Sequence, residues 1–250
     1  VNYFGFPQKL EVFERYCDEN RCILIEDNAH GFLSSDQSGE ELGKRAKIGF
    51  TSFRKTITVY NGAALYINDK NIESSNIPIV DPSYKKLPLR FQIKQFSRYI
   101  DKTINFNLTN YLEELSRLFR LIFTGSKFPK PSRLAEVKIG WKKNIHISTL
   151  LKLRNFELQK NTEIERRQNL FYKFKKILKG KKIRPIFDDL PDNTCPYGYP
   201  FISDEENAKI VMKLAKIQGF TCVKWPDLPI DVEPHCPNFY KSIYFVDFLE

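Results

Sequence analysis

Apolar and polar positions along the chain alternate with two different periods. In the segment 7–21 apolar residues fall at Leu10, Phe13 and Cys17, with Val12 and Tyr16 beside them. That is the spacing of one helix face, and Pro7 suits a first turn. The run "CILIED" (22–27) follows and reads as a short buried strand. "AKIGFTSF" (46–53) and "GAALYIND" (62–69) are two further strand candidates joined by a short polar connection, and Asn68-Asp69 looks like the closing turn. Helix followed by apolar strands predicts an α/β architecture with a mainly parallel sheet.

From about residue 90 the texture changes. Helical periodicity runs through 88–100, 108–125 and 147–180, the last reading as one long helix, with the proline-bearing loop "SKFPKPSR" at 126–133. Three short strand candidates follow, "IRPIF", "YPFIS" and "FTCVKW". Between the last two lies a helix over 204–219, capped by Asp204 and stopped by Gly219. This ending predicts a small C-terminal α+β domain. The expected organisation is the C-terminal part of a large domain at 1–90, a helical connection at 91–135 and the small domain at 136–250.

Composition narrows the function classes. The 250 residues include 21 Phe and 12 Tyr, which argues against disorder and for a sizeable core. No run of about 18 apolar residues predicts a membrane helix, and the first ten residues lack the basic start and apolar stretch of a signal peptide. The five cysteines, at 17, 22, 195, 222 and 236, form no CxxC pair and read as reduced thiols of a cytoplasmic protein. Cys17 and Cys22 are expected to pack as small apolar groups at a helix-to-strand turn. Cys236 beside His235 lacks the other ligands of a closed zinc site, so no metal is expected. The net charge is +10, with the densest basic run at Lys173–Arg184. Without an accompanying nucleic-acid motif, that run reads as a solvated helix end stopped by Gly180.

Two short strings carry the candidate chemistry. "IEDNAHGF" (25–32) puts Asp27 at the carboxyl end of a strand, the side on which open α/β sheets bind ligands. A carboxylate there suits a cation or a protonated ring nitrogen, and also suits a helix cap or a surface loop. His30 lies three residues on. "SFRK" (52–55) ends another strand with a hydroxyl and a lysine. A lysine of lowered pKa forms Schiff bases with carbonyls. An acid for a pyridinium nitrogen, a lysine for an aldehyde and a serine for a phosphate together describe a pyridoxal 5′-phosphate (PLP) site.

Several blocks, taken in order, resemble the DegT-type (DegT/DnrJ/StrS) sugar aminotransferases. "VNYFGFPQKLEVFERYCDENRCILIEDNAHGFLS" is similar to that family's glycine turn, helix, strand and EDxAH/Q block. "FTSFRKTITVYNGAAL" is similar to its serine, lysine and Gly-Gly block, and "IERRQN" and "GFTCVKWPDLP" resemble signatures of its C-terminal domain. The resemblance implies a PLP-dependent transferase of the aspartate-aminotransferase fold (fold type I). It assigns Asp27 to the pyridine nitrogen, His30 to the ring and its 3-hydroxyl, Ser52 to the phosphate, and Lys55 to the aldehyde and to proton transfer. It further implies amino transfer from glutamate to a keto-sugar nucleotide in surface-polysaccharide or amino-sugar biosynthesis. A cytoplasmic homodimer is implied, with neither nucleic acid nor membrane as partner.

The sequence departs from the family pattern at several points. Lys55 follows Ser52 by three residues rather than five, and Gly62-Ala63 stands where Gly-Gly is usual. The segment 140–148, with Asn144, is the nearest match to an asparagine loop that reaches a partner subunit's phosphate. The resemblance also implies a further segment ahead of Val1, holding a phosphate loop and a stacking aromatic. Two alternatives stay open at this stage. One is a non-catalytic homologue or fragment serving dimerisation or binding. The other is a PLP-dependent sugar dehydratase, whose Schiff-base lysine is usually replaced, whereas Lys55 is present.

Overall fold

The structure is a computed structural model and describes residues 1–72, 81–104, 108–125, 144–226, 232 and 234–249. Helix α1 (Glu11–Asn20) ends at Arg21, whose left-handed backbone (φ 51°) lets its N–H and that of Cys22 return to helix carbonyls. The chain then enters β1 (Ile25–Asn28), followed by β2 (Ile48–Ser52) and β3 (Ala63–Ile67). These form one mixed sheet in the order β1-β2-β3, parallel between β1 and β2 and antiparallel between β2 and β3. The α/β class and the strand positions expected from the sequence are borne out.

Side chains alternate across this sheet. Glu26, Asn28 and Thr51 point to a buried face that is polar and fully satisfied. Glu26 accepts from Arg45 Nε at 2.9 Å and from Asn2 Nδ2 at 2.8 Å. Asn28 donates to the carbonyls of Gly31 at 2.9 Å and Leu42 at 2.8 Å, and the Thr51 hydroxyl donates to the Asn28 carbonyl at 3.0 Å. The expectation of a buried apolar strand over 22–27 is therefore corrected. The strand begins only at Ile25, and Ile23 and Ile25 are 52% and 55% exposed. Because Glu26 and Asn28 take the inward positions, parity puts Ile25 outward, while Ile23 lies ahead of the strand. Two smaller expectations change with it. The helix starts at Glu11, beyond Pro7, and buries none of its residues; Cys22 is exposed rather than packed.

Four helices follow: α2 (Leu89–Ile104), α3 (Leu108–Thr124), α4 (Ile147–Phe156) and α5 (Lys160–Ile177). The long helix expected over 147–180 is broken by a 3₁₀ turn at Glu157–Gln159. The two halves serve different cores. On α4, Leu153 and Phe156 pack with Phe53, Ile57 and Val59, whereas on α5, Phe171 and Phe174 enter the C-terminal core. Past these, α5 turns its lysines outward: Lys173, Lys176 and Lys179 are exposed while Phe174 and Leu178 are buried. The expected loop at 126–133 and the 135/136 boundary lie outside the described residues.

The second sheet contains β4 (Arg184–Pro185), β5 (Gly198–Ile202), β6 (Thr221–Lys224) and β7 (Ile243–Asp247), in the order β4-β5-β7-β6, all antiparallel. Helix α6 (Glu205–Ile217) starts at Asp204, whose carboxylate accepts the Asn207 N–H at 2.8 Å, and α7 (Asn238–Lys241) precedes β7. The sequence reading missed β7, an interior strand. Its IYFV run is buried on both faces and shows no alternation to read. The large core of this part also takes Phe4 and Phe6 from the chain start, with Phe6 stacked on Phe187 at 3.6 Å between centroids. Such pairs add about 0.5–1.5 kcal/mol beyond their burial. Residues 2–6 thus tie the first sheet to the second. Among the described residues no helix is long and apolar enough to cross a membrane.

Candidate active site

The turn Tyr3–Gly5 positions the first part of the site. Phe4 adopts a left-handed backbone (φ 57°), and Gly5 follows at φ 85°. A Cβ on Gly5 would lie 2.6 Å from the Cys195 carbonyl oxygen, so a side chain is excluded there. With the Phe4 ring anchored in the C-terminal core, the turn aims the Phe4 N–H at Nδ1 of His30, 3.1 Å away. His30 is buried among aromatic rings, with Tyr197 at 4.8 Å, Phe4 at 5.8 Å and Trp225 at 6.2 Å between centroids.

Lys55 approaches from the other side. It ends the 3₁₀ turn Phe53–Lys55 that follows β2, and the Phe53 ring beneath it is buried against Phe32. Gly62 closes tightly behind this turn: the Phe53 N–H donates to its carbonyl at 3.2 Å, and a Cβ on it would meet Phe53, Ile145 and Thr149 side chains at 3.1 Å each. The outcome is a contact of 2.7 Å between Lys55 Nζ and His30 Nε2.

This contact fixes the proton arrangement. Nδ1 accepts from Phe4, so the neutral imidazole carries its proton on Nε2. Nε2–H then donates to Lys55, and Nζ can accept only as the uncharged amine. The electrostatics run the same way. Burial, and the charge of Lys55 whenever that lysine is protonated, lower the His30 pKa to about 3, keeping the ring neutral at ordinary pH. Burial also lowers the Lys55 pKa; Asp27 opposes this and Arg54 adds to it. A desolvated lysine of lowered pKa suits attack on a carbonyl.

Asp27 sits inside β1, beside Phe50 in register, with one carboxylate oxygen accepting the Ala29 N–H at 2.9 Å. Its neighbour Glu26 points the opposite way, into the buried ion pair with Arg45. Ser52 shares the sheet face of Asp27 by alternation, and its hydroxyl makes no cap hydrogen bond to the 3₁₀ turn. The structure brings His30 and Lys55 into contact with Asp27 acting on the lysine, while Ser52 stands at the strand end before the turn. The Asn144 carbonyl accepts from Asn61 Nδ2 at 2.9 Å.

The sequence blocks that carry these residues also match a known family. Residues 1–111 match the DegT/DnrJ/EryC1/StrS aminotransferase family. The resemblance seen in the sequence is thereby borne out. Solved DegT-type structures share the fold. An aminotransferase of that family from Brucella abortus superimposes with a TM-score of 0.54 at 14% identity, covering 99% of this chain and 57% of its own. PseC of Helicobacter pylori, an aminotransferase in pseudoaminic acid biosynthesis, gives 0.56 at 16%, covering 99% and 60%. Spr1654 of Streptococcus pneumoniae in its PLP form gives 0.57 at 13%, covering 99% and 62%. At these identities the likeness establishes the shared fold alone, and this chain spans about three-fifths of each relative's length. A search of curated proteins by sequence gave no match.

Two partners of the DegT-type motif residues were beyond sequence reasoning. The Phe4 N–H that sets the His30 tautomer is a backbone group. Tyr197, against the His30 ring, lies 167 positions away in sequence with no local motif around it.

Proposed function

We propose that this chain supplies the lysine-side half of a PLP site in an aminotransferase that moves an amino group, with glutamate as donor, onto a keto-sugar nucleotide. The observation that carries the reading is Lys55 Nζ held at 2.7 Å from His30 Nε2, with the Phe4 N–H on the other ring nitrogen. The donor set fits the cofactor. Asp27 suits the protonated pyridine nitrogen, His30 the ring and its 3-hydroxyl, Ser52 the phosphate and Lys55 the aldehyde carbon. When bound, PLP supplies an aldehyde for amines and a ring that takes up the electron pair released at Cα.

The chain's own residues do the rest. Asp27, as a carboxylate, holds a proton on the ring nitrogen by charge. Lys55 would hold the aldehyde end of the cofactor and would serve as the base that moves the Cα proton. His30 gives Nε2–H to that amine and keeps it directed. The Phe53–Lys55 turn, packed on Phe32 and closed by Gly62, keeps the lysine backbone from shifting as its side chain exchanges partners.

The test uses the full-length protein loaded with PLP. Glutamate alone should convert the visible absorbance of the lysine-bound cofactor to that of its amine form, and a keto-sugar nucleotide should restore it. Lys55→Arg should abolish both changes. A well-folded, PLP-loaded protein whose spectrum ignored glutamate and every other amino donor would overturn the reading.

A further inference from the structure

The DegT-type motif residues make a closed circuit with two residues of the C-terminal part. Arg167, on α5, is 1% exposed, and its guanidinium is engaged on every side. Nη2 donates to the Thr56 carbonyl at 2.9 Å, directly after Lys55. Nη1 donates to the carbonyls of Pro196 and Tyr197, each at 3.3 Å, and Nε donates to Glu163 at 2.6 Å. Tyr197 continues the path, its N–H donating to the Phe4 carbonyl at 2.8 Å. The Phe4 N–H reaches His30, and His30 reaches Lys55. From Lys55 the path therefore returns to Lys55 through Thr56, Arg167, Tyr197, Phe4 and His30.

We propose that Arg167 is a positioning residue for the site proposed above: its fork holds the backbone behind Lys55 and the backbone behind His30 at one fixed separation. Four acceptors, three backbone carbonyls and the Glu163 carboxylate, suit a guanidinium with its five donors and not an ammonium with three. Lysine at this position keeps the charge but cannot hold both strands of the circuit at once. Without that clamp the 2.7 Å contact relaxes, the Nε2–H donation weakens, and Lys55 reverts toward the ammonium form. The same link makes the C-terminal part a determinant of lysine reactivity, although it contributes no group to the reacting atoms.

The test reads the lysine directly and needs no cofactor turnover. The pH profile of Lys55 acylation by a trace reagent, followed by mass spectrometry of its peptide, is measured for the wild type, Arg167→Lys and Arg166→Lys. The charged and titratable groups facing Lys55 are His30, Asp27 and Arg54, and all three are kept in these variants. Arg167→Lys should shift the profile upward, with roughly tenfold less Lys55 labelling at pH 8, one unit being a factor of ten. Arg166→Lys, which weakens contacts to Glu163 and the Phe248 carbonyl but keeps the Arg167 bonds to Thr56, Pro196 and Tyr197, should shift it less than Arg167→Lys. Glu163→Gln, which loosens the fork but keeps it, should shift it in the same direction by less, and it stands in if Arg167→Lys does not fold. An unchanged profile in a folded Arg167 or Glu163 variant overturns the proposal. Failure of the wild type to take up PLP would instead overturn the aminotransferase reading, with the labelling profile still deciding the role of Arg167.

Discussion

Acid should destabilise this protein through His30, in an amount that follows from its surroundings. The ring is held neutral by burial and by Lys55, with its pKa lowered from 6.5 to about 3. The unfolded chain therefore binds a proton below pH 6.5 that the folded chain refuses, and stability falls with pH from 6.5 downward until about 3. At pH 5 the unfolded state gains roughly 2 kcal/mol relative to pH 7.5, rising to about 4 kcal/mol by pH 3. For a chain of this size the pH 5 effect corresponds to a melting-temperature loss of about 4–8 °C. Burial raises the Asp247 pKa, which contributes with the opposite sign over the acid range. Comparing the wild type with His30→Gln isolates the histidine, because Asp247 is common to both. Urea unfolding at pH 7.5, 6 and 5 is the assay. The wild type should lose about 2 kcal/mol more than His30→Gln between pH 7.5 and 5. Equal pH dependence in the two proteins would refute the buried neutral imidazole, and with it the uncharged partner lysine.

Glu26→Gln leaves Arg45 buried opposite a neutral amide, and should cost about 3–5 kcal/mol, read as a melting-temperature drop on the order of 10 °C. A drop within a degree or two would show that the pair does not brace β1. Gly62→Ala forces a side chain into a position at φ 127° with three neighbours at 3.1 Å, and should cost about 1–3 kcal/mol in urea unfolding while making Lys55 labelling less uniform. An unaffected variant would mean that the turn is not held by this packing.

Asp27, His30, Ser52 and Lys55 stand out as candidates because each belongs to a short string whose side chains differ chemically from the apolar run before them. What the strings could not convey was direction. Glu26 and Asp27 are adjacent acids, and only the pleat, with Arg45 waiting on one face, separates a structural ion pair from a site carboxylate. The same pleat turned Ile25 outward, against the expectation that apolar residues in a strand are buried. The break at Glu157–Gln159 was hidden because helical periodicity continues across it, and only the presence of two separate cores requires the chain to turn. Phe4, Tyr197 and Arg167 act through backbone groups of distant segments, so no residue-type pattern marks them.

The central claim is that Lys55 is the cofactor lysine. Its most direct test is to incubate the full-length protein with PLP, reduce with borohydride, digest, and locate the modified residue by mass spectrometry. The account predicts one phosphopyridoxyl group, on Lys55, formed fastest above neutral pH and absent from Lys55→Arg. Stoichiometric modification of a different lysine, or none at Lys55 in a folded protein, would contradict it.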